Sequence, residues 1–181
     1  RNIFAGSGVK ISTSGERHMG AVIGSAAFKE KYVTEKITSW IQDIYQLAEI
    51  AKEDPQAVYS SYTKAITHRW SYVQRTIPNI SELFAPLEDA IRDKLLPALL
   101  GRRVSDLERR IMALPVRHGG LGIADPTKTA DHEFYASNMI TRNLTCIIYD
   151  QETNLDNYQH EAVNNAIAMV KAEKEERHQE E

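Results

Sequence analysis

The sequence predicts a mainly α protein, a helical bundle of five or six helices preceded by a short β-hairpin. Apolar residues recur at helical spacing from Ser25 onward, whereas the first 24 residues carry short apolar runs separated by glycines. Composition agrees: 42% hydrophobic and 26% charged residues are ordinary for a folded domain, and 181 residues can bury a sizeable core.

In residues 1–24, Ile3-Phe4, Val9-Lys10-Ile11 and Met19-Gly20-Ala21-Val22-Ile23 read as strands. Gly6-Ser7-Gly8 and Ser14-Gly15 read as the turns between them, because glycine supplies positive φ angles. Two or three such strands cannot form a stable sheet alone. The chain begins with them at Arg1, so they read as the end of a preceding domain, with poor cover here.

Phe28, Tyr32, Ile37, Trp40, Ile41, Ile44, Leu47 and Ala48 then form one stripe on a helix of about 26 residues, roughly 39 Å long. Asp54-Pro55 is a stop and restart, with the acid as N-cap and proline in the first turn. Val58, Tyr59, Tyr62, Ala65, Ile66, Trp70 and Val73 mark a second helix that ends before Pro78. Asn79 with Glu82 has capping-box spacing, and Ser81 is the other available cap. Leu83, Phe84, Leu87, Ile91 and Leu95 mark the third helix, and Gly101 ends it. Ser105 and Glu108 open a short fourth one. The segment from Leu114 to Ile123 is a loop by composition, with three glycines in four positions. Two helical stretches follow, about Thr127 to Ile148 and Gln159 to the end, the second finishing in a charged run at residues 171–177.

The chain thus divides into a hairpin (1–24), a helical region (25–100), a basic helix with Gly-rich loop and following helix (101–150), and a charged terminal helix or tail (151–181). The short link from Glu53 to Gln56 forces the two longest helices to pack antiparallel. Trp40, Ile44, Tyr62, Ile66, Leu87 and Ile91 are the expected core.

Net charge is −3, which argues against a strongly basic nucleic-acid module but leaves room for a local patch. Cys146 is the sole cysteine; it lies in an apolar stretch and reads as a core thiol in an intracellular protein of the cytoplasm or nucleus. No apolar run is long enough to cross a bilayer, so no membrane is expected. The six histidines are scattered without the pairing of a metal site, and no complete catalytic set is visible. No cofactor is expected in this chain.

The best chemical hint is basic clustering. Arg102, Arg103, Arg109, Arg110 and Arg117 fall within 16 residues, opposed there only by Asp106 and Glu108. Guanidinium forks suit phosphates, so these five are candidates for contacts to a nucleic-acid backbone; a solvated face with local ion pairs is the plainer alternative. A second group, Lys64, His68, Arg69 and Arg75, shares a helix with Tyr62, Trp70 and Tyr72. Trp70 at helical spacing reads as core rather than as a stacking platform.

The order of segments carries a resemblance. Arg17-His18-Met19-Gly20-Ala21-Val22-Ile23-Gly24 resembles the hairpin strand that follows the active-site aspartates in reverse transcriptases of non-retroviral retroelements. Leu114-Pro115-Val116-Arg117-His118-Gly119-Gly120-Leu121-Gly122-Ile123 is similar to the leucine-proline, basic, Gly-Gly-Leu-Gly element after the thumb of such polymerases. Residues 55–78, with Tyr59, Trp70 and Arg75-Thr76-Ile77-Pro78, resemble thumb sequences of animal retroelements. The resemblance covers residues 1 to about 148. It implies a post-catalytic segment of an RNA-directed DNA polymerase of a retrotransposon, gripping the template–primer duplex. Arg17, His18, Met19 and Gly20 would lie near the primer end, and residues 25–100 would form the thumb. Met19 stands where the family usually has leucine, a swap that preserves volume. The family's aspartate pair and upstream fingers have no counterpart, so the Mg2+ of the parent polymerase is not expected to be held here. The chain alone should be inactive. The expected partner is an RNA–DNA or DNA duplex. The competing expectation is a helical protein–protein interaction module, with a partner held through the amphipathic helices.

Overall fold

The computed structural model describes residues 6–8, 11–150 and 157–180. Strands β1 (Gly15–His18) and β2 (Ala21–Gly24) pair antiparallel, with Arg17 opposite Val22 and His18 opposite Ala21. The expected strand over residues 19–23 is corrected at its start. Met19 and Gly20 both have positive φ, 48° and 86°, and form the two-residue turn that matches the strands' twist. Ser14-Gly15 is not a turn between strands; Gly15 opens β1. The expected strands at Ile3-Phe4 and Val9-Lys10 lie outside the described residues.

Helix α1 (Ala26–Ala51) follows at once, with the Ser25 hydroxyl accepting from the Phe28 N–H. Its buried residues Val33, Ile37, Trp40, Ile44, Ala48 and Ala51 repeat every three or four positions. Asp54 caps α2 (Pro55–Ser61) through the Ala57 N–H at 3.0 Å, with Pro55 in the first turn. A π-helical turn, Tyr62–Ile66, joins α2 to α3 (His68–Thr76). The Thr63 and Thr67 hydroxyls there donate to carbonyls four residues back, the contact that bends helices. A 3-10 turn, Ser81–Phe84, leads into α4 (Ala85–Ala90). Neither Asn79 nor Ser81 caps it: Ile80 holds the cap position without a side-chain bond, and Asn79 takes a left-handed φ of 57°. A second π turn, Ile91–Leu95, precedes α5 (Leu96–Leu100). Pro97 explains it, because proline lacks an N–H and crowds the carbonyl four residues back, which a wider turn relieves. Gly101 ends this helix in the left-handed conformation. Then come α6 (Asp106–Ala113), a 3-10 turn (Val116–His118), α7 (Pro126–Asp150) and α8 (Asn157–Glu180). With α2 and α3 joined, and α4 and α5 joined, the eight segments make six rods behind a hairpin.

The α2–α3 rod runs antiparallel to α1, so Trp40 meets Trp70 at 5.9 Å between ring centroids and Asp43 pairs with Arg69. Trp40 also stacks on Phe84 at 6.2 Å, and Tyr62 meets Trp70 at 6.1 Å, which puts four aromatic rings at the centre. Trp40, Ile44, Tyr62, Leu87 and Ile91 are buried as expected, and Ile66 is half-buried against them. Cys146 is corrected: it is exposed, as are Leu144, Ile148 and Tyr149 on the last turns of α7.

The Gly-rich segment is a hub of the core. Gly122 and Ile123 donate backbone N–H bonds to Leu114 and Met112, folding the loop back on the end of α6. Two side chains bind its carbonyls, Tyr59 to Leu121 and Arg109 to Ile123, each at 2.7 Å, and Gln74 donates to the Pro126 carbonyl at the start of α7 at 3.0 Å. A Cβ at Gly120 would lie 2.0 Å from the Leu114 carbonyl oxygen, so only glycine fits there. Arg109 is only 6% exposed, and its fork donates to both Glu88 carboxylate oxygens at 2.6 and 2.7 Å. Burial opposes the Arg109 charge, but those bonds outweigh it and keep the guanidinium firmly protonated.

Two predictions follow the hub. Arg109→Ala should cost about 3–5 kcal/mol in urea unfolding, because Glu88 is left buried and unpaired; Glu88→Leu/Arg109→Met should lose much less. Gly120→Ala should cost on the order of 2 kcal/mol or more, since its neighbours are backbone atoms that cannot yield, and denaturant midpoints would check it.

Candidate nucleic-acid interface

The hairpin and α3 share a face. The Tyr72 hydroxyl donates to the Met19 carbonyl at 2.7 Å, and the Tyr32 hydroxyl to the Gly20 carbonyl at 2.9 Å. Each turn carbonyl is therefore held by a phenol from a different helix. Val22 is buried in the core, so the expectation of a poorly supported hairpin is corrected. Its cover comes from α1 and α3.

This anchoring leaves the other groups of the hairpin outside. Arg17 and His18 are exposed on β1, and Met19 is 84% exposed at the tip. On α3, His68, Tyr72 and Arg75 follow at spacings of four and three, which places them on one flank. The Arg75 Nε donates to the Ser71 carbonyl at 3.3 Å and lies 4.0 Å from a Glu133 carboxylate oxygen. Lys36 Nζ sits 5.7 Å over the Tyr32 ring, beside the same turn. Sequence reasoning missed Lys36; its position four residues after Tyr32 was the available signal. Of the second basic group, Arg69 is paired with Asp43, while Lys64 and His68 are exposed. Tyr62 and Trp70 are core.

The five clustered arginines do not form one patch. Arg109 is corrected: buried on Glu88, it cannot reach a phosphate. Arg102 donates to Glu108 at 2.6 Å, and Arg117 is paired with Glu175 of α8. Arg103 and Arg110 are exposed. Arg102 and Arg103 follow α5, which packs on α2 and on α1. They stand toward the far end of α1 from the hairpin, a helix of 26 residues spanning roughly 39 Å.

Glu108 has a second job, as the N3 carboxylate of the capping box that starts α6. It accepts from the Ser105 N–H at 2.9 Å while the Ser105 hydroxyl accepts from the Glu108 N–H. The Arg102 bond and the Ser105 bonds lower its carboxyl from 4.5 to about 2.

Among the described residues, no group of three His, Cys, Asp or Glu side chains stands together to hold a metal ion. Among them no helix is long and apolar enough to cross a membrane. Among the described residues, the carboxylates form no cluster that would fit a magnesium pair. No protein-family model, curated protein or solved structure matches this chain.

The α6 cap gives a pH prediction. A carboxyl whose folded pKa is depressed stabilises above its unfolded value, and that contribution is lost as pH falls through the folded one. The first turn of α6 should therefore loosen between about pH 4.5 and pH 2, read as faster amide exchange at residues 106–109. Glu108→Gln should flatten that response.

Proposed function

We propose that this chain grips a nucleic-acid duplex, as the hairpin-and-thumb segment of a retroelement RNA-directed DNA polymerase. The observation that supports it is the hairpin tip, fixed by Tyr32 and Tyr72 and presenting Arg17, His18 and Met19 beside the flank of α3. An apolar side chain exposed at positive φ costs about 1 kcal/mol or more, a strain more often kept at contact sites than elsewhere. Arg17, Lys36 and Arg75 supply cations along this face, with His68 exposed beside them and Tyr72 an aromatic surface. Cations against phosphates give affinity without sequence preference, which suits a part that holds a moving duplex. Arg103 is exposed and remains a further candidate contact; Arg102 and Arg117 would first have to leave their carboxylates. In this reading the chemistry, and the magnesium, belong to residues outside this chain.

A second reading, a protein-binding helical module, is favoured by one feature of α6. Leu107 and Ile111, one turn apart, are 65% and 46% exposed while Arg109 points inward. An apolar pair turned to solvent suits a protein partner.

Fluorescence anisotropy with a labelled RNA–DNA hybrid separates the two. Gripping predicts binding in the micromolar range at low salt that falls steeply as salt rises. Arg17→Ala and Arg75→Ala should each reduce the salt slope by about one. The reading is wrong if Arg17→Ala/Lys36→Ala/Arg75→Ala binds the hybrid as the parent chain does. A salt-insensitive protein complex lost on Leu107→Glu would establish the second reading instead.

A further inference from the structure

We propose that helix α8 is an intramolecular acidic competitor for the duplex, holding in reserve an arginine that binds phosphate only when α8 yields it. The inference rests on the duplex reading and adds its regulation. Arg117 projects from the 3-10 turn before the Gly-rich loop, a turn tied to the core through that loop's backbone bonds. Its guanidinium is paired with Glu175, and His118 Nε2 lies 2.9 Å from the other oxygen of the same carboxylate. Slight desolvation raises the Glu175 carboxyl, yet the bond and charge of Arg117 outweigh it and hold the group below its usual value. One carboxylate thus occupies two adjacent basic side chains, as a phosphate would.

The same helix reaches the hairpin face. Between α7 and α8 runs a groove of about 690 Å³, lined by Arg75, Glu173, Lys174, Glu176 and Arg177 among others. Lys174 of α8 and Arg75 of α3 lie 3.4 and 4.0 Å from the two oxygens of Glu133. Glu173 and Glu176 of α8 line the groove that Arg75 also lines, and Glu175, between them in sequence, holds Arg117.

The geometry also makes the contact exchangeable. The Arg117 and Glu175 side chains are 62% and 39% exposed, and pairs so open to water shift an equilibrium by at most about fivefold. A phosphate, which an arginine fork binds through two parallel bonds, can displace a carboxylate held so loosely. The buried Arg109–Glu88 pair, by contrast, cannot be exchanged in this way. Of the two paired arginines near the Gly-rich loop, one is fixed and one is lent.

The test is duplex binding by the full chain, with the labelled RNA–DNA hybrid at several salt concentrations. Glu175→Gln should bind about two- to fivefold more tightly at low salt, with a salt slope steeper by about one contact. Arg117→Ala alone should bind nearly as the parent does, because Arg117 is already neutralised. Arg117→Ala in the Glu175→Gln background should remove the whole gain. Glu53→Gln, an equal change in net charge elsewhere, should change little. Circular dichroism checks that α8 stays helical in each variant. If the parent binds and Glu175→Gln binds no better, or if the double variant keeps the gain, the competitor inference is wrong and the duplex reading survives. If neither the parent nor Glu175→Gln binds at low salt, both fall.

Discussion

The structure depends on one buried ion pair. Arg109 reaches from α6 to Glu88 on α4 with two bonds and spends a third on the Ile123 carbonyl. Each of its donations replaces contacts that α6 and the Gly-rich segment would otherwise need from apolar packing. An eight-residue helix has too little surface to dock by burial alone, and two of its apolar residues, Leu107 and Ile111, face water. The pair holds α6 in place, α6 carries the loop, and the loop's Leu121 carbonyl binds Tyr59 on the rod that lies along α1, whose Gln74 binds the Pro126 carbonyl at the start of α7. Burying both charges is expensive, and good geometry only roughly repays it. What the pair secures is position more than stability.

That constraint explains why some of the fold was legible in the sequence and some was not. Apolar stripes on α1, on the α2–α3 rod and on the α4–α5 rod were readable because burial there follows a simple period. Caps were readable where a polar side chain meets the first turn, as at Asp54 and at Ser105 with Glu108. Asn79 and Ser81 show the limit: capping residues are present, but a left-handed Asn79 turns the chain so that neither side chain meets the helix. Arg109 lay beyond reach because nothing local distinguishes it from Arg110, one residue later and exposed. Its partner is 21 residues away on α4, so no local pattern shows which arginine turns inward.

The same reasoning applies to the candidate interface. Charge density along the sequence pointed to residues 102–117, yet the fold puts Arg109 in a core pair and Arg102 and Arg117 in separate surface pairs. The hairpin face has fewer cations, drawn from segments far apart in sequence: Arg17, Lys36 and Arg75. They converge because Tyr32 and Tyr72 bind adjacent turn carbonyls, which no linear count of charge could register. The hairpin itself was legible from its short apolar runs and glycines, while charge alone would have passed over it.

On the proposed duplex reading the surface also needs to let go. A chain with 22 basic and 25 acidic residues would not hold a polyanion by its overall field, so on that reading it would do so through a few uncovered cations. Grip can then be adjusted by covering or uncovering single residues, each worth about one unit of salt dependence. Arg69 under Asp43, Arg102 under Glu108 and Arg117 under Glu175 are all covered by exposed or half-exposed carboxylates. Arg102 binds one oxygen of Glu108 while the other oxygen serves the α6 cap. Of these three, Arg117 is the one whose carboxylate sits on α8, apart from the α6 cap and from the α1–α3 contact.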